Sequence, residues 1–388
     1  MTGSIFVTFL VLCAVFTQSS GQSLLERLSS MALSQAETVY NVAKGAAKLI
    51  ITPEEMVEIT KEILYDLPSR VLTEAINIFC SQAIAVDGNL NRSQLIIPDA
   101  KKLGLTFFND KGYVIYLLDD IEHLVEHPSF DRDGEIVILF MGWLSNRNDS
   151  LNYAAEILYN AYKCRGHTNF LFLDTDQFID SLYTWSSLNT EDLGRLLVPA
   201  IVALTKHIDI GKFHILGHSL GSHIASSLGR HFQEITQTSL PRITGLDPAH
   251  VCFNQGQALT TLGSGDATFV DIIHTSSGRY GQEAVIGDVD FYPNGKDGNM
   301  PGCFSLACSH AMSWKYFAES ILPGNERGFL ATRCNSLSAY TQGLCIREPI
   351  PMGFATPLTA KGTYFLETNA AAPFGKNSQI RNKCVDEL

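Results

Sequence analysis

Long apolar runs and clustered charge of one sign are both scarce in this chain of 388 residues. After the first 16 residues no stretch reaches the roughly 18 consecutive apolar residues of a spanning helix, so no transmembrane segment is expected in the mature protein. There is no Lys/Arg run, and 28 basic against 40 acidic residues leave a net charge of −12. That balance excludes nucleic acid as a natural partner. Metal signatures such as H-E-x-x-H are missing, so neither a metal nor an organic cofactor is expected. Internal repeats and low-complexity tracts are also missing, which excludes solenoid architectures.

What is present is globular: 45% hydrophobic and 18% charged residues, in a length that buries one large core or one core with a small appendage. Residues 1–21 read as a signal peptide. Ile5 to Phe16 form an apolar region too short for a span, the small residues Ser19 and Gly21 suit cleavage before Gln22, and the start lacks Lys and Arg. The expectation is a secreted, extracellular protein. Of nine cysteines Cys13 leaves with the signal, and 9 − 1 = 8 remain, an even number that points to disulfides. Asn91-Arg92-Ser93 and Asn148-Asp149-Ser150 are glycosylation sequons. The ending Val385-Asp386-Glu387-Leu388 resembles a K-D-E-L retrieval signal with its first residue changed, which makes the ER lumen the alternative location.

Residues 22–93 are expected to be a helical extension. Leu24, Leu25, Leu28 and Met31 begin an apolar face, and Thr52-Pro53-Glu54-Glu55 carries a cap, a first-turn proline and a capping-box acid. Residues 81–110 read as a connector. A main domain is assigned to 94–376 and a tail to 377–388. Within the domain, strands are expected at 113–118, 135–140, 169–173, 212–216, 242–246 and 268–274, and helices at 150–163, 190–206, 219–232 and 310–321. This alternation predicts an α/β fold with a mostly parallel central sheet. The Gly- and Pro-rich stretch 276–303 reads as a surface excursion.

The chain is organised around Lys212-Phe213-His214-Ile215-Leu216-Gly217-His218-Ser219-Leu220-Gly221. An apolar strand runs into G-x-S-x-G and passes directly into helical sequence, the setting of a nucleophile elbow. The two glycines are needed because side chains there would collide with neighbouring backbone. A serine nucleophile needs a base, an acid behind the base, and oxyanion donors. In this class of fold the partners follow in the order Ser, Asp or Glu, His. Asp247, just past strand 242–246, lies at the same sheet edge as Ser219. His310, at a loop-to-helix junction after Cys308, can reach over the site. Asp271 and His274 lie three apart in an extended run, so their side chains leave opposite faces and they read as structural polar residues. His218 is read as shaping the pocket; His214 and His223 are read as satisfied polar residues. The oxyanion donors are expected to be the backbone N–H of Leu220 and, from the loop Met141-Gly142-Trp143, that of Trp143.

These residues resemble the pancreatic lipase family, the animal neutral lipases and their phospholipase A1 relatives. The resemblance covers roughly residues 95–376 and rests on ordered motifs: Gly217-His218-Ser219-Leu220-Gly221, Gly245-Leu246-Asp247-Pro248-Ala249, Val270-Asp271 to His274-Thr275, Asp290-Phe291-Tyr292-Pro293-Asn294-Gly295, Pro301-Gly302-Cys303, Cys308-Ser309-His310 and Tyr364-Phe365-Leu366-Glu367-Thr368-Asn369. It implies an α/β-hydrolase fold, a Ser219–Asp247–His310 triad, and hydrolysis of lipid esters at a membrane or lipoprotein surface through an acyl-enzyme. It also implies a lid disulfide Cys303–Cys308 and a second disulfide Cys334–Cys345; the pairing of Cys80, Cys164, Cys252 and Cys384 stays open. Only four residues separate Cys303 from Cys308, too few for a helical flap, and the loop 276–287 also reads as short. Both resemble phospholipase A1 members more than triacylglycerol lipases. Met141 stands where the family usually has His, Thr175 where it usually has Trp, and no C-terminal β-sandwich follows, so no colipase-type partner is expected. The alternative function is a non-catalytic lipid-binding or yolk-like storage protein on a lipase scaffold.

Overall fold

The segment Glu135–Phe140 shows how the domain is layered. Glu-Ile-Val-Ile-Leu-Phe is the near-continuous apolar run of a strand covered on both faces. Because successive side chains alternate, Ile136, Ile138 and Phe140 enter one core, while Val137 and Leu139 enter a second core on the other face. The computed structural model describes residues 100–142, 153–175, 183–253, 259–296, 299–345 and 348–379. The expected signal peptide, the expected helical extension at 22–93, Cys80, Asn91, Asn148 and residues 380–388 of the tail lie outside the described residues.

The strands are β1 (Gly104–Asn109), β2 (Gly112–Leu117), β3 (Glu135–Phe140), β4 (Thr168–Asp174), β5 (Phe213–His218), β6 (Arg242–Leu246), β7 (Phe269–Ile273), β8 (Val289–Pro293), β9 (Leu330–Arg333), β10 (Ile350–Pro351) and β11 (Gly362–Leu366). The helices are α1 (Tyr153–Arg165), α2 (Tyr183–Thr205), α3 (Leu220–Thr236), α4 (Leu306–Ile321) and the short α5 (Leu337–Thr341). Among the described residues the strands form one sheet in the order β10-β9-β11-β8-β7-β6-β5-β3-β4-β1-β2. The centre, from β11 through to β4, is parallel, and antiparallel pairs close both edges. Helices α2 and α3 cover one face through Leu193, Leu197, Ile201, Ile224 and Leu228; α1 and α4 cover the other through Leu158, Ala161, Met312 and Tyr316. This is the α/β-hydrolase fold.

The structure adds what the sequence pattern did not separate. The expected connector contains β1, and the expected surface excursion contains β8, whose residues are all buried. β9, β10 and β11 extend the sheet beyond the expected strands. Helix α4 begins at Leu306 and not at His310, because Ser305 caps it, its side chain accepting from the Cys308 amide. Cys303 is joined to Cys308 and Cys334 to Cys345; Cys164 and Cys252 are disulfide-bonded as well.

A buried ion pair fixes the register of β6 against β7. Asp271 lies opposite Thr244, and Arg242 is two residues before Thr244 on the same strand face. The Arg242 guanidinium donates to both carboxylate oxygens of Asp271, at 2.9 and 2.8 Å, and to the carbonyls of Gly353 and Phe354. The Thr244 hydroxyl donates to the same carboxylate. Removing one charge leaves the other buried and uncompensated. Asp271→Asn is therefore expected to lower unfolding free energy by about 3–5 kcal/mol, read from urea denaturation; a loss under ~1 kcal/mol would show that water compensates Arg242.

Candidate active site

Ser219 connects β5 to α3 with φ 57° and ψ −124°, a conformation that L-residues adopt only under constraint. The constraint comes from packing on both sides. A Cβ added at Gly217 would stand 2.5 Å from the Ser222 Cα, and one at Gly221 would fall on the Phe140 carbonyl oxygen. The Ser219 amide donates to Leu246 O, its carbonyl accepts from Ala249 N, and the serine is half-buried at the carboxyl edge of the sheet.

Asp247 follows β6, the strand paired beside β5, so acid and serine leave adjacent strand ends. Its side chain is fully buried. Oδ1 accepts the amides of Thr275 and Ser276, at 2.8 and 3.0 Å, and Oδ2 lies 2.5 Å from His310 Nδ1. The carboxylate orients the ring: Nδ1 carries the proton it donates, leaving Nε2 as the free base. His310 is the fifth residue of α4, held on a helix and not on a mobile junction. That helix is anchored at its far end. Arg165 donates to the carbonyls of Ile321 and Leu322, and the buried Glu319 carboxylate accepts the amides of Phe374 and Gly375 and the hydroxyl of Ser378.

The turn after β7 holds Asp247 through its backbone, and a buried His274–Asp290 pair holds that turn. His274 Nε2 bonds Asp290 at 2.8 Å and Nδ1 bonds the Gln282 carbonyl at 2.8 Å, with both side chains fully buried. The Asp290 carboxylate also accepts the amides of Ile286 and Gly287. Gln282 returns to the strand end of Asp247, donating its amide to Pro248 O and its side chain to Ala249 and Phe253 carbonyls. These residues carry no local sequence signal for the task, because the donors that reach Asp247 are backbone amides.

Of the two expected oxyanion donors, Leu220 is the first residue of α3, so its amide is one of those a helix start leaves without an intrahelical partner. Gly142 faces it: a methyl added there would lie 2.5 Å from Ser219 Cβ, 2.9 Å from its Oγ and 3.1 Å from the Leu220 nitrogen. Met141 is buried beside it. Trp143 lies outside the described residues. His218 is buried with its ring 4.5 Å from that of His310. His214 donates from Nε2 to the Thr244 oxygen, which itself donates to Asp271. His223 donates from Nε2 to Ala249 O, accepts the Leu262 amide at Nδ1, and stacks on Phe253. Burial drives all three imidazoles below their ordinary value, His214 and His218 well below it and His223 to about 3.

The lipase family model matches residues 99–374. Vitellogenin-1 of Ceratitis capitata is 35% identical over 217 residues, 55% of this chain and 50% of that protein. Pancreatic triacylglycerol lipase of Sus scrofa is 30% identical over 295 residues, 68% of this chain and 63% of that protein. Pancreatic lipase-related protein 2 of Bos taurus is 33% identical over 315 residues, 71% of this chain and 64% of that protein. The chain thus spans between 50% and 64% of the length of these relatives.

Two outcomes follow from this geometry. Gly142→Ala is expected to slow any reaction at Ser219 by about 100-fold or more, because the methyl would stand 2.5 Å from the Ser219 Cβ and 2.9 Å from its Oγ; unchanged acylation rates with normal folding would show that the close approach of Gly142 is not needed. The buried histidines set a pH dependence. They are neutral in the fold, whereas the unfolded chain protonates them below about pH 6.5, so stability falls as pH drops through that value. At about 1.4 kcal/mol per unit for each, His214, His218 and His223 together approach about 4 kcal/mol per pH unit between pH 6 and 5. Urea midpoints at pH 7, 6 and 5 measure this, and a flat profile contradicts it.

Proposed function

The chain belongs to the lipase family, and from that premise we propose that it is a serine hydrolase cleaving carboxylic esters of lipids. The observation that carries the reading is the 2.5 Å His310–Asp247 hydrogen bond behind a serine held at φ 57°. In the proposed reaction, Ser219 Oγ attacks the ester carbonyl while His310 Nε2 takes its proton. Asp247 holds the imidazole and stabilises its charge. The Leu220 and Trp143 amides bind the developing oxyanion. His310 returns the proton to the leaving alkoxide, and water, activated by the same imidazole, releases the acyl group from Ser219.

The finer reading is a phospholipase A1-type enzyme in preference to a triacylglycerol lipase, secreted by way of residues 1–21, with the ER lumen as the alternative. The Cys303–Cys308 loop supports it: a disulfide across a sequence separation of 5 leaves no length for a flap, and Phe304 in it is 99% exposed. An uncovered groove accepts a polar head group that a long flap would exclude. A storage role is the second reading. It is supported by the 35% identity to vitellogenin-1 and by Met141, a buried apolar residue next to Gly142.

One experiment separates the two. The folded protein is treated with a fluorophosphonate probe, and hydrolysis of phosphatidylcholine vesicles is compared with that of emulsified trioleoylglycerol, for wild type and Ser219→Ala. The expected results are covalent labelling of Ser219, faster release from phosphatidylcholine, and a loss of at least about 1,000-fold in the variant. Absence of labelling in folded protein would leave the storage reading.

A further inference from the structure

We infer that His218 is a positioning residue for the base: its ring is the aromatic platform against which the imidazolium of His310 is stabilised once it has taken the Ser219 proton. This rests on the hydrolase reading above.

The geometry is specific. His218 ends β5 and immediately precedes Ser219, and it is 7% exposed. Its ring centroid lies 4.5 Å from that of His310 with the planes tilted by 44°, inside the ~6 Å range in which a cation is attracted to an aromatic face. Its Nε2 lies 3.4 Å from the His310 carbonyl oxygen, an acceptor only, so Nε2 carries the hydrogen. Nδ1 is buried and has no hydrogen-bond partner among the described residues. The polar capacity of this side chain is thus directed at the residue that bears the base and at nothing else described.

The proton transfer explains what such a platform does. As the Ser219 Oγ–carbon bond forms, the hydroxyl proton moves to His310 Nε2, and the ring gains a full positive charge. The proton leaves again when the ester C–O bond breaks and the alkoxide takes it. Among the described residues, three side chains besides Ser219 are placed against the charged ring. Asp247, from the end of β6, supplies the negative charge at Nδ1. Tyr280, from the turn after β7, meets the ring at 86° and 5.7 Å. His218, from β5, lies against it at the shortest ring distance of the two aromatic neighbours. The hydroxyls of Thr275 and Ser313 go to the His310 carbonyl and not to the ring. For the platform to work, His218 must stay neutral, and burial holds its imidazole well below the ordinary value, with the charge of His310 acting in the same direction. The arriving proton therefore belongs to His310.

The test compares His218→Leu, which removes the aromatic face, with His218→Phe, which keeps it. The full chain is assayed by the pH dependence of kcat/KM on p-nitrophenyl butyrate, by the rate of fluorophosphonate labelling, and by NMR titration of the His310 imidazole. The expected result for His218→Leu is an acid limb and a His310 titration midpoint lowered by about 0.5–1 pH unit, with kcat reduced about 3- to 10-fold and KM unchanged. His218→Phe is expected to restore the midpoint. Identical midpoints in the Leu and Phe variants, or a midpoint raised by Leu, overturn the platform; a rise would mean that His218 itself carries charge. If wild type is not labelled, the hydrolase reading fails, and the NMR midpoints still decide the platform.

Discussion

A carboxylate with no access to water governs the arrangement of this site. Asp247 is fully buried at the end of a parallel strand, where an uncompensated charge costs several kcal/mol. It is tolerated because Thr275 and Ser276 deliver two amides to one oxygen and His310 delivers an N–H to the other. The donors come from two separate parts of the chain, so the charge can be satisfied only when β6, the turn after β7 and α4 are all in place. The buried His274–Asp290 pair and Gln282 keep the turn there, and Arg165 and Glu319 keep the helix. One desolvated group thereby ties most of the carboxyl edge of the sheet into a single constellation.

How much of this was legible follows from the range of the interactions. The elbow is local: a strand, two glycines around a serine, and a helix start are contiguous, so Gly217 to Gly221 read correctly as a sharp turn, and the positive φ of Ser219 is its physical consequence. The strand ends carrying Ser219 and Asp247 are local too. The cap at Ser305 is local as well, but it competes with the reading of Cys308-Ser309-His310 as a junction, so the expected helix start at His310 falls after the observed one at Leu306. β8 and β11 do not stand out because they are flanked by glycine and polar residues that read as loop. Their strand character comes from burial between neighbours, which a single sequence does not display.

Asp271 and His274 illustrate the same limit. Spacing alone indicated that Asp271 and His274 could not pair, since three residues of extended chain turn them to opposite faces. What each binds instead needed the sheet register. Asp271 meets Thr244 directly across β6 and Arg242 two residues away, while His274, past the strand end, reaches Asp290 of β8. Neither partner is near in sequence, and an arginine before Ile243 carries no mark of facing inward. His218 is the reverse case: its neighbour in the chain is Ser219, yet the ring it meets, that of His310, belongs to a helix more than ninety positions away.

The choice between catalysis and storage can be argued from what the site costs. A serine held at φ 57° and ψ −124° stores of order 1–3 kcal/mol of strain, and a non-glycine φ of 48° at Asp247 adds to it. A buried carboxylate and a tightly bonded imidazole beside a second, neutral imidazole bring further desolvation. A protein that needed only an apolar groove would be more stable with these positions relaxed to ordinary backbone and apolar side chains. The acid bonds the imidazole at Nδ1, and Gly142 brings its backbone closer to Ser219 than a side chain would allow. A groove for passive lipid requires none of these in register with the others, whereas acyl transfer requires all of them together.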